Sequence, residues 1–92
     1  MRNYIDSFLA YMKIERIASS LTIYDYNKEL IRFFDFLSSK NILDINLIST
    51  RIIRQYFYHA KEKRGLGSST ISKIIATVKS FFNYLEEEDI IL

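Results

Sequence analysis

The 92-residue sequence contains no cysteine, no proline, two glycines and a single histidine. The lack of cysteine excludes disulfide bonds, thiolate metal sites and cysteine nucleophiles, and it fits a reducing cytoplasm. With so little glycine and proline, the chain lacks the turn chemistry of β-hairpins and many-turned β-sandwiches. No apolar run approaches the roughly 20 residues of a membrane span, and no signal peptide opens the chain. We therefore expect a soluble, cytoplasmic protein with no membrane partner.

The chain is well supplied with apolar and aromatic side chains. Hydrophobic residues make up 49% of it and aromatic residues 15%, while the charged fraction of 26% is ordinary for a soluble protein. This composition can build a core and argues against disorder. The length allows one domain, which we expect to cover residues 1–92.

Apolar residues recur with the 3.6-residue period of amphipathic helices in four stretches. The first is predicted from about Asn3, as its N-cap, to Arg16. The second begins near Ser19 and ends near residue 39, and an irregular connection pinned by three isoleucines covers 42–48. The last two helices are predicted to start at Ser49 or Thr50, ending at Gly65, and at Gly67, ending near Glu87. The sequence thus predicts an all-α fold, a compact four-helix bundle.

The fourth helix has two faces of different character. Its apolar face, predicted to be buried, carries Ile71, Ile74, Ile75, Val78, Phe81, Phe82 and Leu85. The other face is small and hydrogen-bonding, and we expect it to be exposed; it carries Ser69, Ser72, Lys73, Ala76, Thr77 and Ser80.

Charge is unevenly distributed along the chain. Residues 1–50 sum to zero, whereas residues 51–85 hold seven basic side chains against one acidic, a net charge of +6. Such a segment is either an ordinary solvated surface or the footprint of a phosphate backbone. The four acids at 86–89 oppose the helix dipole, so we expect this end to fray unless the residues that follow hold it.

The chemistry of an enzyme is missing from the sequence. The single histidine, His59, is predicted on the outer side of the third helix, where it has no partners for a zinc site or a catalytic triad. The sequence also has no glycine-rich phosphate loop. We expect neither a cofactor, nor a metal site, nor catalysis by this chain alone.

The second and fourth helices start alike. Residues from Ser19 to Thr22 and from Gly67 to Thr70 each follow a short turn with an arginine before it, Arg16 or Arg64. Free amides, hydroxyls and an arginine at a helix start can bind an anion, and two such starts can grip a DNA backbone. Taken singly, each pattern is also an ordinary helix cap.

Short motifs follow one another through nearly the whole chain in a fixed order. They are Ile5-x-x-Phe8-Leu9-x-Tyr11, Glu15-Arg16 with Thr22 and Tyr26, Leu30-x-x-Phe33-x-x-Phe36-Leu37, Ile53-Arg54-x-Tyr56, Arg64-Gly65-Leu66 with Ser69-Thr70-Ile71, and Lys79-Ser80-Phe81-Phe82-x-Tyr84-Leu85. This order resembles the N-terminal core-binding, SAM-like domain of tyrosine recombinases, the phage-integrase and Xer-type enzymes. The chain departs from that pattern at Ile17-Ala18, where Gly-Leu is usual, and at Gly67, where serine is usual.

The resemblance implies a DNA-binding domain that lays its second and fourth helices across the major groove. Its partners would be duplex DNA, a C-terminal catalytic domain of the same parent chain and other protomers of a recombinase tetramer. The tyrosine nucleophile would belong to that catalytic domain, which is absent from this chain, so the chain resembles an isolated domain or a truncated gene product. The residues expected to contact DNA are Ser19, Thr22, Tyr24, Lys28, Arg64, Ser69, Thr70, Ser72, Lys73 and Thr77.

Another class of function stays open beside DNA binding. Bundles of this type also serve as protein–protein interaction modules, and fourteen Phe and Tyr residues can supply an interface. An exposed apolar patch, with binding that does not depend on salt, would distinguish such a module from a DNA-binding domain.

Overall fold

The structure, a computed structural model, describes residues 2–91 and confirms the all-α fold. No β-strand occurs in that range, and none of its helices is long and apolar enough to cross a membrane. The elements are α1 (Arg2–Ile14), α2 (Ser20–Ser39), a 3-10 turn (Ile45–Leu47), α3 (Thr50–Arg64) and α4 (Ser68–Glu87).

The helix starts follow the predicted caps in three of four cases. Ser19 caps α2, and Ser49 caps α3 by accepting the Ile52 amide at 3.2 Å. Gly67 precedes α4 and provides no side-chain hydrogen bond. The Asn3 cap is wrong: Asn3 lies inside α1, which also ends at Ile14 rather than at Arg16.

The core forms around α4, which packs against α1, α2 and α3, while α1 also packs against α2. Phe81 of α4 is fully buried, and its ring centroid lies 5.5 Å from that of Phe8 in α1 and 5.6 Å from that of Phe34 in α2. Aromatic edge-to-face contacts of this kind add to the hydrophobic gain. The predicted apolar face of α4 is confirmed along its centre, although Ile71, Ile75 and Phe82 at its margin are only half-buried.

The acidic end of α4 is held by a left-handed turn at Asp89, whose φ is 57°. The Asp89 amide donates to the Glu86 carbonyl at 3.0 Å and the Ile90 amide to the Leu85 carbonyl at 2.9 Å, the paired bonds of a Schellman motif. Ile90 and Ile91 then pack against the core. These contacts supply the support that the acidic sequence lacks.

The connection between α1 and α2 places Ile17 in the left-handed region, with φ of 52°. A β-branched side chain is strained in this region, because its Cβ crowds the backbone. Ile17 gains little in return, since 83% of the residue is exposed. Its strain is therefore largely uncompensated.

We expect Ile17→Gly to stabilise the protein by about 0.5–1 kcal/mol, because the strain relieved exceeds the added entropy of the unfolded chain. The free energy of unfolding in urea measures this gain. Leu21→Gly is the matched control: Leu21 is also exposed but lies inside α2, so this change should cost about 1 kcal/mol. A comparable loss in both variants would contradict the strain at Ile17.

Candidate nucleic-acid interface

A polar stripe runs along the exposed side of α4. Ser69, Ser72, Lys73 and Ala76 are all exposed, as the sequence predicted, and Thr70 is exposed in the first turn. These side chains are short apart from the lysine, so the stripe offers hydroxyls and one cation on a surface that permits close approach.

The stripe continues to Ser80 and Asn83, which lie eleven residues, or three helical turns, beyond Ser69 and Ser72. Asn83 is exposed, whereas Ser80, which was predicted to be exposed, is half-buried. There it reaches the connection between α1 and α2, because Ser80 and Asn83 line a cavity of about 230 Å³ together with Arg16 and Tyr26. Sequence reasoning missed Asn83, although its helical spacing from Ser72 was a usable signal. The polar residues of the α4 stripe, together with Arg16 and Tyr26 at this cavity, are called here the stripe surface.

Arg16 supplies the cation at this end of the stripe surface. The Tyr11 hydroxyl raises the pKa of the Arg16 guanidinium by hydrogen bonding, with a smaller contribution from the Glu87 carboxylate. Arg16 is exposed, so its charge is open to an anion in solvent.

Thr77 does not belong to this surface, and the prediction that it is exposed is wrong. Thr77 is buried, with 5% of its surface exposed, and its hydroxyl donates to the Lys73 carbonyl oxygen at 2.9 Å. Tyr84, two turns later on the same side of α4, is buried against Phe8 and Tyr11 of α1. From Thr77 to Tyr84, that side of α4 therefore faces the bundle, while Thr70 in the first turn stays exposed.

At the start of α2, the predicted residues are exposed or half-buried. Ser19 Oγ accepts the Thr22 amide at 3.1 Å and donates to Thr22 Oγ1 at 3.0 Å, so the two side chains cap the helix. Tyr24 is exposed, and the Lys28 Nζ lies 5.1 Å from its ring centroid, within range of a cation–π contact. This pair presents an aromatic face and a cation to solvent.

Arg64 forms an ion pair within the protein. Its Nη1 is 3.3 Å from Oε1 of Glu29 in α2, and only 27% of its side chain is exposed. Glu29 is buried, a position that sequence reasoning missed. The predicted site residues therefore divide into three groups: exposed or half-buried polar residues, the buried Thr77, and Arg64, which is partly buried and paired with Glu29.

The described residues contain no group of three or more potential metal ligands. His59 is exposed, and its ring lies 5.1 Å from that of Phe36. The site thus consists of hydroxyl, amide, aromatic and basic groups.

Comparison with known proteins identifies the family. Residues 5–89 match the model of the phage integrase N-terminal SAM-like domain. The chain is 34% identical over 93 residues to tyrosine recombinase XerC of Pelotomaculum thermopropionicum, covering 96% of this chain and 30% of the relative. It is 34% identical over 85 residues to XerC of Oceanobacillus iheyensis, covering 92% and 28%, and 27% identical over 88 residues to XerD of Staphylococcus aureus, covering 96% and 30%.

No solved structure matches the chain. The chain spans about 30% of the length of the first of these relatives. Its motifs, its four helices and the match over residues 5–89 agree with one another. The chain therefore belongs to the family of phage integrase N-terminal SAM-like domains, the core-binding domains of tyrosine recombinases.

Proposed function

We propose that this domain binds duplex DNA for a site-specific tyrosine recombinase and performs no catalysis itself. The observation that carries the proposal is the stripe surface, where the exposed side chains of Ser69, Ser72 and Lys73 are followed along α4 by Ser80 and Asn83, which line a cavity with Arg16. Short polar side chains on an exposed helix can enter the major groove, and the flanking cations can neutralise phosphates. The longest dimension of the domain, 35 Å, is close to one turn of DNA, about 34 Å.

The proposed contacts fall into two groups. Ser69, Thr70, Ser72 and Lys73 of α4, with Asn83 further along, would face the groove and the adjacent backbone. At the other end, Arg16 and the start of α2 would reach phosphates and sugars, through Ser19, Thr22, Tyr24 and Lys28. The remainder of the recombinase chain would supply the catalytic residues and close on the opposite side of the DNA, and its protomers would contact one another in a tetramer.

We expect salt-sensitive and mostly non-specific binding of a DNA duplex. If about five phosphates are neutralised, a plot of log K against log salt has a slope of about −4 to −5. Fluorescence anisotropy of a labelled duplex, titrated at several salt concentrations, measures this slope. A slope of zero would refute the proposal.

Two lysine variants locate the binding surface in the same titration. Lys73→Ala should weaken binding and make the slope shallower by about 0.9, the loss of one phosphate contact. Lys40→Ala should leave both unchanged, because Lys40 follows the C-terminal end of α2. Lys13 is a poorer control, since it lines a cavity with Ser20 at the start of α2. Equal losses from Lys73→Ala and Lys40→Ala would contradict the assigned surface.

One observation favours a second function, a protein–protein interaction module. Ile14, Ile17 and Leu21 are 74%, 83% and 68% exposed where α1 meets α2. Apolar residues grouped in this way can bind another protein. Binding of a protein partner that is lost on changing Leu21 to Ser, together with a zero salt slope for DNA, would favour this function.

A further inference from the structure

A buried carboxylate joins two helices, α2 and α3. Glu29 of α2 is 7% exposed and accepts a hydrogen bond from the Tyr56 hydroxyl of α3. It also accepts from Nη1 of Arg64, at 3.3 and 3.4 Å, and Nη1 of Arg32 lies 3.7 Å away. These four residues are called here the Glu29 cluster.

Stability alone is a weak reason for such a cluster. Burying a carboxylate is costly, and the attraction of its partners does little more than offset that cost. Burial and the hydrogen bond to Glu29 both raise the pKa of Tyr56, so its hydroxyl stays protonated and keeps donating. A buried ionic group of this kind fixes geometry more than it adds free energy.

The position of Arg64 indicates that the geometry in question is that of the turn between α3 and α4. Arg64 is the last residue of α3, and α4 begins only four residues later, at Ser68. Between them, Gly65 turns the chain with φ of 61°, and neither Gly65 nor Gly67 has another residue's atoms close to where a Cβ would stand. Apart from the half-buried Leu66, the side chain that anchors this turn is therefore that of Arg64.

We propose that Glu29 and Arg64 are positioning residues, whose ion pair sets the direction in which α4 leaves α3 and hence the placement of the stripe surface on DNA. This inference rests on the proposed function. In this proposal, Arg64 binds Glu29 within the protein and neutralises no phosphate of the DNA. The pair ties the C-terminal end of α3 to the middle of α2, across 35 residues of sequence.

Direct contact of Arg64 with DNA predicts the opposite behaviour. Loss of the Glu29 charge would then release the arginine and tighten binding, and loss of Arg64 would make the salt slope shallower by about 0.9. If Glu29 and Arg64 are positioning residues, the loss of either one weakens DNA binding, and the slope of log K against log salt stays as in the parent protein.

The experiment compares Glu29→Gln, Arg64→Gln and the double variant in the anisotropy titration, at a temperature where circular dichroism shows each to be folded. We expect each single change to weaken binding about five- to twenty-fold, and the double variant to lose no more than either single one, since both break the same pair. Ile5→Val is the matched control: it loosens the core at a buried site of α1 and should leave affinity unchanged.

Amide signals of the free protein provide a readout independent of DNA. In NMR spectra, residues 66–73 should shift in the same pattern in both single variants and stay in place in Ile5→Val. Tighter binding by Glu29→Gln, a shallower slope for Arg64→Gln, or additive losses would overturn the proposal. If the parent shows no salt-dependent binding, the proposed function fails, and unmoved signals at 66–73 would separately overturn the positioning role. Should Glu29→Gln not fold, Arg64→Gln decides the matter through its slope and its amide signals.

Discussion

Phe81→Ala is expected to lower the free energy of unfolding by about 3–5 kcal/mol, since it leaves a ring-sized cavity at the centre of the core. Phe81 is fully shielded from solvent and meets the rings of Phe8, Phe34 and Phe82. A domain of this size has a total stability of about 5–14 kcal/mol, so the variant loses a large share of it. Urea denaturation followed by circular dichroism measures the change.

Phe82→Ala provides the matched comparison, because it removes the same ring from the next position. Phe82 is only half-buried, so its replacement exposes less new apolar surface and should cost clearly less. Equal losses from the two variants would contradict the packing of α4 described here.

The double variant Ser69→Glu/Ser72→Glu should lose DNA binding by about a hundredfold or more, because two carboxylates would face the phosphates at close range. Both serines are exposed, and Ser69 lies in the first turn of α4, where the helix dipole stabilises a negative charge. The variant should therefore stay folded, with a cooperative urea transition. Anisotropy with the labelled duplex measures the loss.

A control with the same change of charge separates local contact from overall repulsion. Asn3→Asp/Gln55→Glu also adds two carboxylates, both at exposed positions. Asn3 adjoins Arg2, which lines a cavity with Ser38, and Gln55 lines another with Lys40, so both lie near the C-terminal end of α2. At 0.1 M salt, charges beyond about 10 Å are largely screened, and binding should change only slightly. Parent-like binding by Ser69→Glu/Ser72→Glu would exclude α4 as the helix that contacts DNA.

Helical periodicity predicted most of the fold, because it indicates which side of each helix is apolar. It failed for Thr77, a polar residue whose hydroxyl is satisfied by the carbonyl of Lys73 one turn earlier and which can therefore be buried. It failed also for Phe82, since apolar residues on α4 extend beyond the width of the buried face.

Less of the candidate site than of the fold could be predicted from the sequence. The exposed hydroxyls and Lys73 followed from the pattern of α4 alone. The pairing of Glu29 with Arg64 did not, because it joins residues 35 positions apart and has no local signal in the sequence. Asn3 illustrates a third limit: a residue type that favours helix caps also occurs within a first turn, and the chain alone does not fix where the helix begins.

The left-handed turn at Asp89 has a mechanical consequence. Because α4 closes there and Ile90 and Ile91 return to the core, the backbone leaves the bundle from a fixed point instead of along the axis of the helix. A segment joined beyond Ile91 would pivot about that point without twisting α4. Torque applied further along the chain would then act on this turn and not on α4, where the proposed DNA contacts lie.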